Sequence, residues 1–323
     1  MKNRMLRTAL TLLIGAGLMV GSVQAQSDYG EYTDILPVKG QSSLSFLKVG
    51  ASPRAVGMGE AFVSMDAGID AIYYNPGALG FVSGGEYSLT YTRWLVNSAL
   101  YSGAVVYRLG SNTIGVSMVS FVPDEVEETT IFQATGTGRM IRGGDTAIGL
   151  AFARQMTDKV SWGAQARWVQ EDLVLKTTST FQFDMGISAY AGYRSLRIAA
   201  AARNVGADIT VETEQFSPPI NFNFGMAMEV YGEKGDPNYL TLAVETITAT
   251  DYGQRWNFGG ELWIANMLAL RGGYKLNYDI EDYSLGVGLK YPFGERNIRV
   301  DVSYSDGSAY FDAPIRIAVS GSF

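Results

Sequence analysis

Several residue clusters in this chain are of types that do chemistry, and each fails as a catalytic or metal site. Asp124, Glu125, Glu127 and Glu128 gather carboxylate oxygens, the ligand type a hard cation such as Ca²⁺ takes. A short charge run in a loop is ordinarily just solvated, so no metal site is expected there. Gly136-Thr-Gly-Arg139 echoes a phosphate-binding loop, but it lies between strand patterns and no helix follows. Serine is abundant, yet the chain contains neither histidine nor cysteine. Ser-His and Cys-His dyads, thiolate metal sites and the commonest zinc ligand are therefore missing, and neither catalytic nor cofactor-binding residues are expected. Arg54 stands apart as a lone cation in an apolar stretch. It either meets a ligand or pairs with a carboxylate such as Asp184 or Glu261.

These residues must be positioned by an exported scaffold. Lys2, Arg4 and Arg7 precede an apolar run from Ala9 to Val20, and Val23-Gln-Ala25 offers small residues for cleavage before Gln26. Residues 1–25 read as a signal peptide, too short in its apolar part to span a bilayer comfortably. Its three basic residues, taken from 25, leave 22 against 32 acidic ones, a net charge of −10. That balance argues against a nucleic-acid partner, which needs clustered Lys and Arg. With 19 Tyr and only 9 Pro, the composition favours a β-rich scaffold.

The remainder divides near position 85. Residues 26–84 are irregular and rich in Gly and Ala. After them come fourteen segments with period-two alternation, from Glu86–Trp94 to Pro314–Phe323. The last sets Ile315, Ile317, Val319 and Phe323 against Arg316, Ala318, Ser320 and Ser322. Segment Trp256–Ile264 sets Trp256, Phe258, Leu262 and Ile264 against Asn257, Glu261 and Trp263. Phe181–Tyr193 behaves likewise, with Asp184 opposite its apolar row. Alternation alone also fits a secreted β-sandwich. A barrel in a membrane is favoured because most segments approach the 9–11 residues a tilted spanning strand needs and short turns alternate with long connections. Arg154, Arg167, Arg203, Glu229, Glu245, Arg299 and Asp301 are expected inside, because charge on the lipid face costs roughly 2–4 kcal/mol at mid-bilayer. Tyr and Trp near strand ends, Trp94 among them, are expected in interfacial girdles. The expected fold is thus an all-β, fourteen-stranded antiparallel transmembrane barrel (residues 85–323). Residues 26–84 form a plug in its lumen, and the whole sits in the outer membrane in contact with its lipids.

Phe46-Leu47, Pro53-Arg54-Ala55, Gly57-Met58-Gly59-Glu60-Ala61 and Tyr74-Asn75-Pro76 resemble the N-terminal signature of the PorV/PorQ family, within the wider FadL-like group of outer-membrane barrels. A second block, Arg203-Asn204-Val205-Gly206 with Pro218-Pro219 and Phe222 to Gly225, resembles that family's mid-barrel strand end, extended loop and next strand. The chain departs from the pattern at Asp66-Ala67-Gly68-Ile69-Asp70, where many relatives have adjacent Asp residues, and in its Asn-Pro-Gly-Ala order. The resemblance implies a fourteen-stranded barrel with a lumenal N-terminal segment. It also implies two functions. The first is a type IX secretion component that binds exported cargo and partner proteins, with Asp124, Glu125, Glu127, Glu128, Ile131 and Phe132 as the candidate partner-binding loop. The alternative is FadL-like uptake of a hydrophobic small molecule, a fatty acid or hydrocarbon, through lumen and plug.

Overall fold

The structure is a computed structural model that describes residues 42–211, 214–279, 281–294, 296–307 and 312–323. The signal-peptide expectation, and residues 26–41 of the expected plug, lie outside these.

Fourteen antiparallel strands close into a barrel. They are β1 (Gly85–Arg93), β2 (Ala99–Leu109), β3 (Asn112–Val122), β4 (Gly144–Gln155), β5 (Val160–Asp172), β6 (Thr177–Tyr190) and β7 (Arg197–Gly206). The second half comprises β8 (Asn221–Tyr231), β9 (Tyr239–Ala249), β10 (Arg255–Ile264), β11 (Leu268–Leu276), β12 (Tyr283–Phe293), β13 (Arg296–Ser305) and β14 (Ile315–Ser322). Each strand pairs with its sequence neighbours, and β1 closes on β14 through pairs such as Leu89↔Val319. Closure leaves no edge, so every strand's backbone groups have ladder partners, the condition for residence in hydrocarbon.

Burial is inverted relative to a water-soluble β protein. Leu89, Val116, Leu150, Phe181, Phe224 and Ile317 are exposed on the outer wall, whereas Gln165, Asp184, Glu261, Arg271, Asp301 and Arg316 are buried in the bore. An apolar exterior around a polar lumen is the arrangement of an outer-membrane barrel.

Both ends follow the expected sorting. One end carries tight turns, such as Ala265-Asn266, where both residues have positive φ as a two-residue hairpin requires. The other carries the long connections, two of which fold into small hairpins, Val126–Glu127 with Met140–Ile141 and Ile209–Val211 with Glu214–Phe216.

Three expectations need correction. Strand β6 runs over Thr177–Tyr190 rather than 181–193, because Thr177 to Thr180 continue the ladder opposite Asp172 to Val169. That stretch lacks apolar alternation, so cross-strand pairing extends the strand where pattern could not. Gly192, at φ +77°, then turns the chain before residue 193. Arg154 lies on the outer face, exposed near the turn end of β4 rather than in the lumen. There its guanidinium reaches the aqueous boundary, as long basic side chains do at interfaces. Trp94 leaves the girdle: its ring lies inside, with the Arg316 guanidinium 5.2 Å from its centroid.

Candidate functional site

Residues 42–84 lie against the inner wall as single turns joined by irregular backbone: Ser45–Lys48, Pro53–Val56, Gly68–Tyr73 and Pro76–Phe81. Pro53 and Pro76 start two of these turns, where a missing N–H costs nothing. The segment's apolar side chains, among them Met58, Phe62, Ile69, Ile72 and Leu79, pack with the wall residues Ala104, Ala151 and Ala153. Full burial of such a side chain contributes ~1.5–3 kcal/mol. Alanines on the wall leave room for this second layer inside the bore.

Backbone contact with wall glycines brings the segment closer still. A Cβ added at Gly57 would meet Gly286 Cα at 2.9 Å. Gly59, at φ +62°, lies against Gly273 and donates its N–H to Ser284 Oγ at 2.9 Å. The carbonyl of Pro76 faces Gly163, and Asn75 and Gly77 face Gly186. Asn75 also fixes its own turn: Oδ1 accepts from Gly77 N at 2.9 Å, while Nδ2 donates to Val63 O and, across to the wall, Ile187 O. Arg54, Gly57, Gly59, Asn75 and Pro76 are thus brought together as docking contacts. Phe46 and Leu47 sit apart, nearer the loop end, in a second apolar cluster with Leu100 and Val169.

Ion pairs complete the attachment. Arg54 grips Glu261 through two N–H donors, each at 2.8 Å. Of the two carboxylates considered for it, Asp184 is instead taken by Arg167 at 2.7 Å. Arg271 joins Glu261 at 2.7 Å to Asp301 at 2.6 Å; Arg299 then links Asp301 to Asp70 of the segment at 2.6 Å. The chain of charges therefore leaves the segment at Arg54 and returns to it at Asp70. Elsewhere Lys275 pairs with Glu60 at 2.7 Å, Lys234 pairs with Asp66, and Glu245 accepts from the N–H groups of Phe62 and Val63. Burial alone would push the Glu60 and Asp66 carboxyls up. Lys275 and Lys234 outweigh it and hold both below their ordinary values.

The mid-barrel residues form a kink in the wall. The β6–β7 register shifts between Phe183 and Met185, and Asn204 opposite adopts φ +59°. Its N–H donates to Asp184 Oδ1 at 2.7 Å, and its Nδ2 donates to Pro219 O at 2.9 Å. Asn204 and Pro219 are therefore in contact, with Pro218 buried beside them. Gly206 continues the β7 ladder opposite Gln182.

Above the plug, towards the loop end, lies a cavity of about 100 Å³ bounded by Phe46, Leu47, Ile72, Tyr74, Val119 and Ile247, with Arg203 and Arg255 among its polar lining. A vestibule of about 430 Å³ adjoins it and shares Phe46, Lys48, Val49, Glu60, Arg255 and Tyr278. On the turn side of the plug a separate space of about 240 Å³ is lined by Arg54, Asp66 and Arg299, and it shares no lining residue with the upper cavity. An amphipathic chamber thus opens towards the loops and is floored by the plug. Sequence reasoning missed Tyr252, Arg255 and Tyr278, which lie at or beyond strand ends where alternation stops. None of the residues expected in the partner-binding loop lines this chamber. Glu127 and Glu128 accept from Gly138 N and Thr137 Oγ1 within the Val126–Ile141 hairpin, and Ile131 and Phe132 stand 91% exposed at its tip.

No family model matches the sequence, and no curated protein matches it. Solved structures do. The toluene transporter TbuX of Ralstonia pickettii superposes with a TM-score of 0.59 at 15% identity, over 85% of this chain and 98% of that one. The toluene transporter TodX of Pseudomonas putida gives 0.61 at 13%, over 84% and 97%. A FadL homologue of Pseudomonas aeruginosa gives 0.53 at 10%, also over 84% and 97%. The fold is that of the FadL-type outer-membrane barrel. At these identities the likeness extends to the fold alone, and none of these matches favours the PorV/PorQ branch within it.

Proposed function

We propose that this protein is a non-catalytic outer-membrane channel for hydrophobic small molecules, exported on a signal peptide, residues 1–25, that is then cleaved. The observation that carries the reading is the chamber: a partly aromatic cavity open to the loop end and floored by a segment held by apolar packing, backbone apposition and ion pairs. The similar barrels described as toluene transporters support the same reading and weigh for it against the secretion role. A ligand captured among Phe46, Tyr74 and Ile247 gains by burial, and passage then requires the plug beneath it to shift or the wall to yield. The test is uptake. Cells carrying the protein should take up dilute labelled toluene across their lipopolysaccharide-faced outer membrane faster than cells from which it is deleted. Equal rates with and without protein remove the proposal.

A protein-partner role keeps one specific observation in its favour. Ile131 and Phe132 project into solvent from an acidic hairpin, as an anchor for another protein would. Deletion of residues 126–141 with unchanged surface display of exported proteins removes that role.

A further inference from the structure

We infer that the upper cavity selects compact organic anions, an apolar or aromatic body bearing one carboxylate, over the neutral hydrocarbon of the same size. This deepens the channel reading and rests on it. The inference comes from the pairing of the charges that face the cavity. Lys48 is committed to Asp251, and Arg167 to Asp184. The carboxylate of Glu60 is held by Lys275. Both oxygens of Glu245 are occupied, Oε2 by two plug N–H groups and Oε1 by Asn223 Nδ2.

Arg203 and Arg255 are what remains. Among the described residues neither has an ion pair, and the buried Arg203 Nε has no hydrogen-bond partner. Each is held by its face instead. The Arg203 guanidinium lies 5.3 Å from the Tyr74 ring centroid, and that of Arg255 sits between Tyr252 at 3.6 Å and Tyr278 at 4.3 Å. Stacking occupies the π-face of a guanidinium and leaves its N–H edge free, the edge that matches a carboxylate through two parallel bonds. The apolar remainder of the cavity, with Phe46, Ile72, Val119 and Ile247, suits a hydrocarbon body. Its size, about 100 Å³, is smaller than the ~150 Å³ known to admit benzene, so a ring seated there must extend in part into the adjoining vestibule of about 430 Å³.

The probes are benzoate and toluene, near-isosteric rings with and without the charge. Titration calorimetry on the purified full-length protein should give benzoate at least tenfold the affinity of toluene, with the preference shrinking as salt is added. Arg203→Gln and Arg255→Gln should each reduce the benzoate-to-toluene ratio by roughly ten- to a hundredfold, the range for a lost hydrogen bond to a charged group. Lysine at either position should restore part of it, and heat-resistant migration on a gel checks that each variant has assembled. Equal affinity for the two probes, or an unaltered ratio in both glutamine variants, overturns the anion selectivity while leaving the channel reading standing. Failure of both probes to bind overturns both.

Discussion

Replacing Gly273 by alanine tests how the plug is docked. Gly273 lies in β11 with its missing side chain directed inward, and it pairs with Gly259 and Ser284 across the two ladders. A Cβ there would overlap Gly59 N and Met58 C, well inside the 3.0 Å that real Cβ atoms respect, and both atoms are backbone. No rotamer change relieves such a clash, so the plug must move. The strand itself is unharmed, because alanine is acceptable in extended backbone and the ladder bonds are untouched. Overpacking of this kind costs ~1–3 kcal/mol. Charged entirely to plug docking, that raises the undocked population roughly five- to 150-fold. Gly272→Ala is the control: it is the adjacent residue on the opposite face, with nothing within 4 Å of its added Cβ. Single-channel recording in planar bilayers should show more frequent openings for Gly273→Ala than for Gly272→Ala. Limited proteolysis should cut the segment around residues 50–70 faster. If the two variants match in both assays, backbone apposition at the glycines does not hold the plug.

Other outcomes follow from the charges and faces. Arg54→Met removes the bidentate grip on buried Glu261, and losing one partner of a buried pair costs ~3–5 kcal/mol. Because Arg271 still contacts Glu261, the measured loss of plug protection should fall toward the low end, and adding Glu261→Gln should be less than additive. Ile317→Lys puts a charge on the lipid face and should cost ~2–4 kcal/mol in urea titrations of the folded barrel; wild-type stability would refute the facing assignment. Acid should loosen the plug. The Glu60 and Asp66 carboxyls sit below 4.5 and 3.8 in the folded state, so their stabilisation is present above those values and lost as pH falls through the folded ones. Protease protection should therefore hold from neutrality to about pH 5 and decline below it, with Glu60→Gln flattening part of the decline.

Most of the wall was legible because its chemistry repeats. A strand at the lipid boundary must alternate apolar and polar residues, and in Trp256–Ile264 or Ile315–Phe323 nothing competes with that requirement. Legibility failed where another force took over. Thr177 to Thr180 are strand only because β5 supplies a ladder opposite them. Arg154 falls in the outward row of Ile148, Leu150 and Phe152, so alternation sets it outside where charge alone set it in the lumen, and its position near the turn end lets it reach water. Trp94 is drawn inward by Arg316, more than two hundred positions away in the chain.

For the site, the sequence by itself determined an irregular N-terminal segment rich in Gly and Ala, a lone cation at Arg54 that either meets a ligand or pairs with a carboxylate, and the absence of the usual nucleophile and base pairs. These follow from composition and local spacing, which long-range folding cannot alter. Which carboxylate answers Arg54, which glycines accept the segment's backbone, and which guanidiniums are left without partners were decided only by closure of the barrel. Strands β7 and β10 are far apart in sequence, but curvature brings Arg203 and Arg255 to the wall of one cavity. Pairing inside a closed bore is a competition among all the charges that share it, and its outcome depends on distances that exist only after the last strand has met the first.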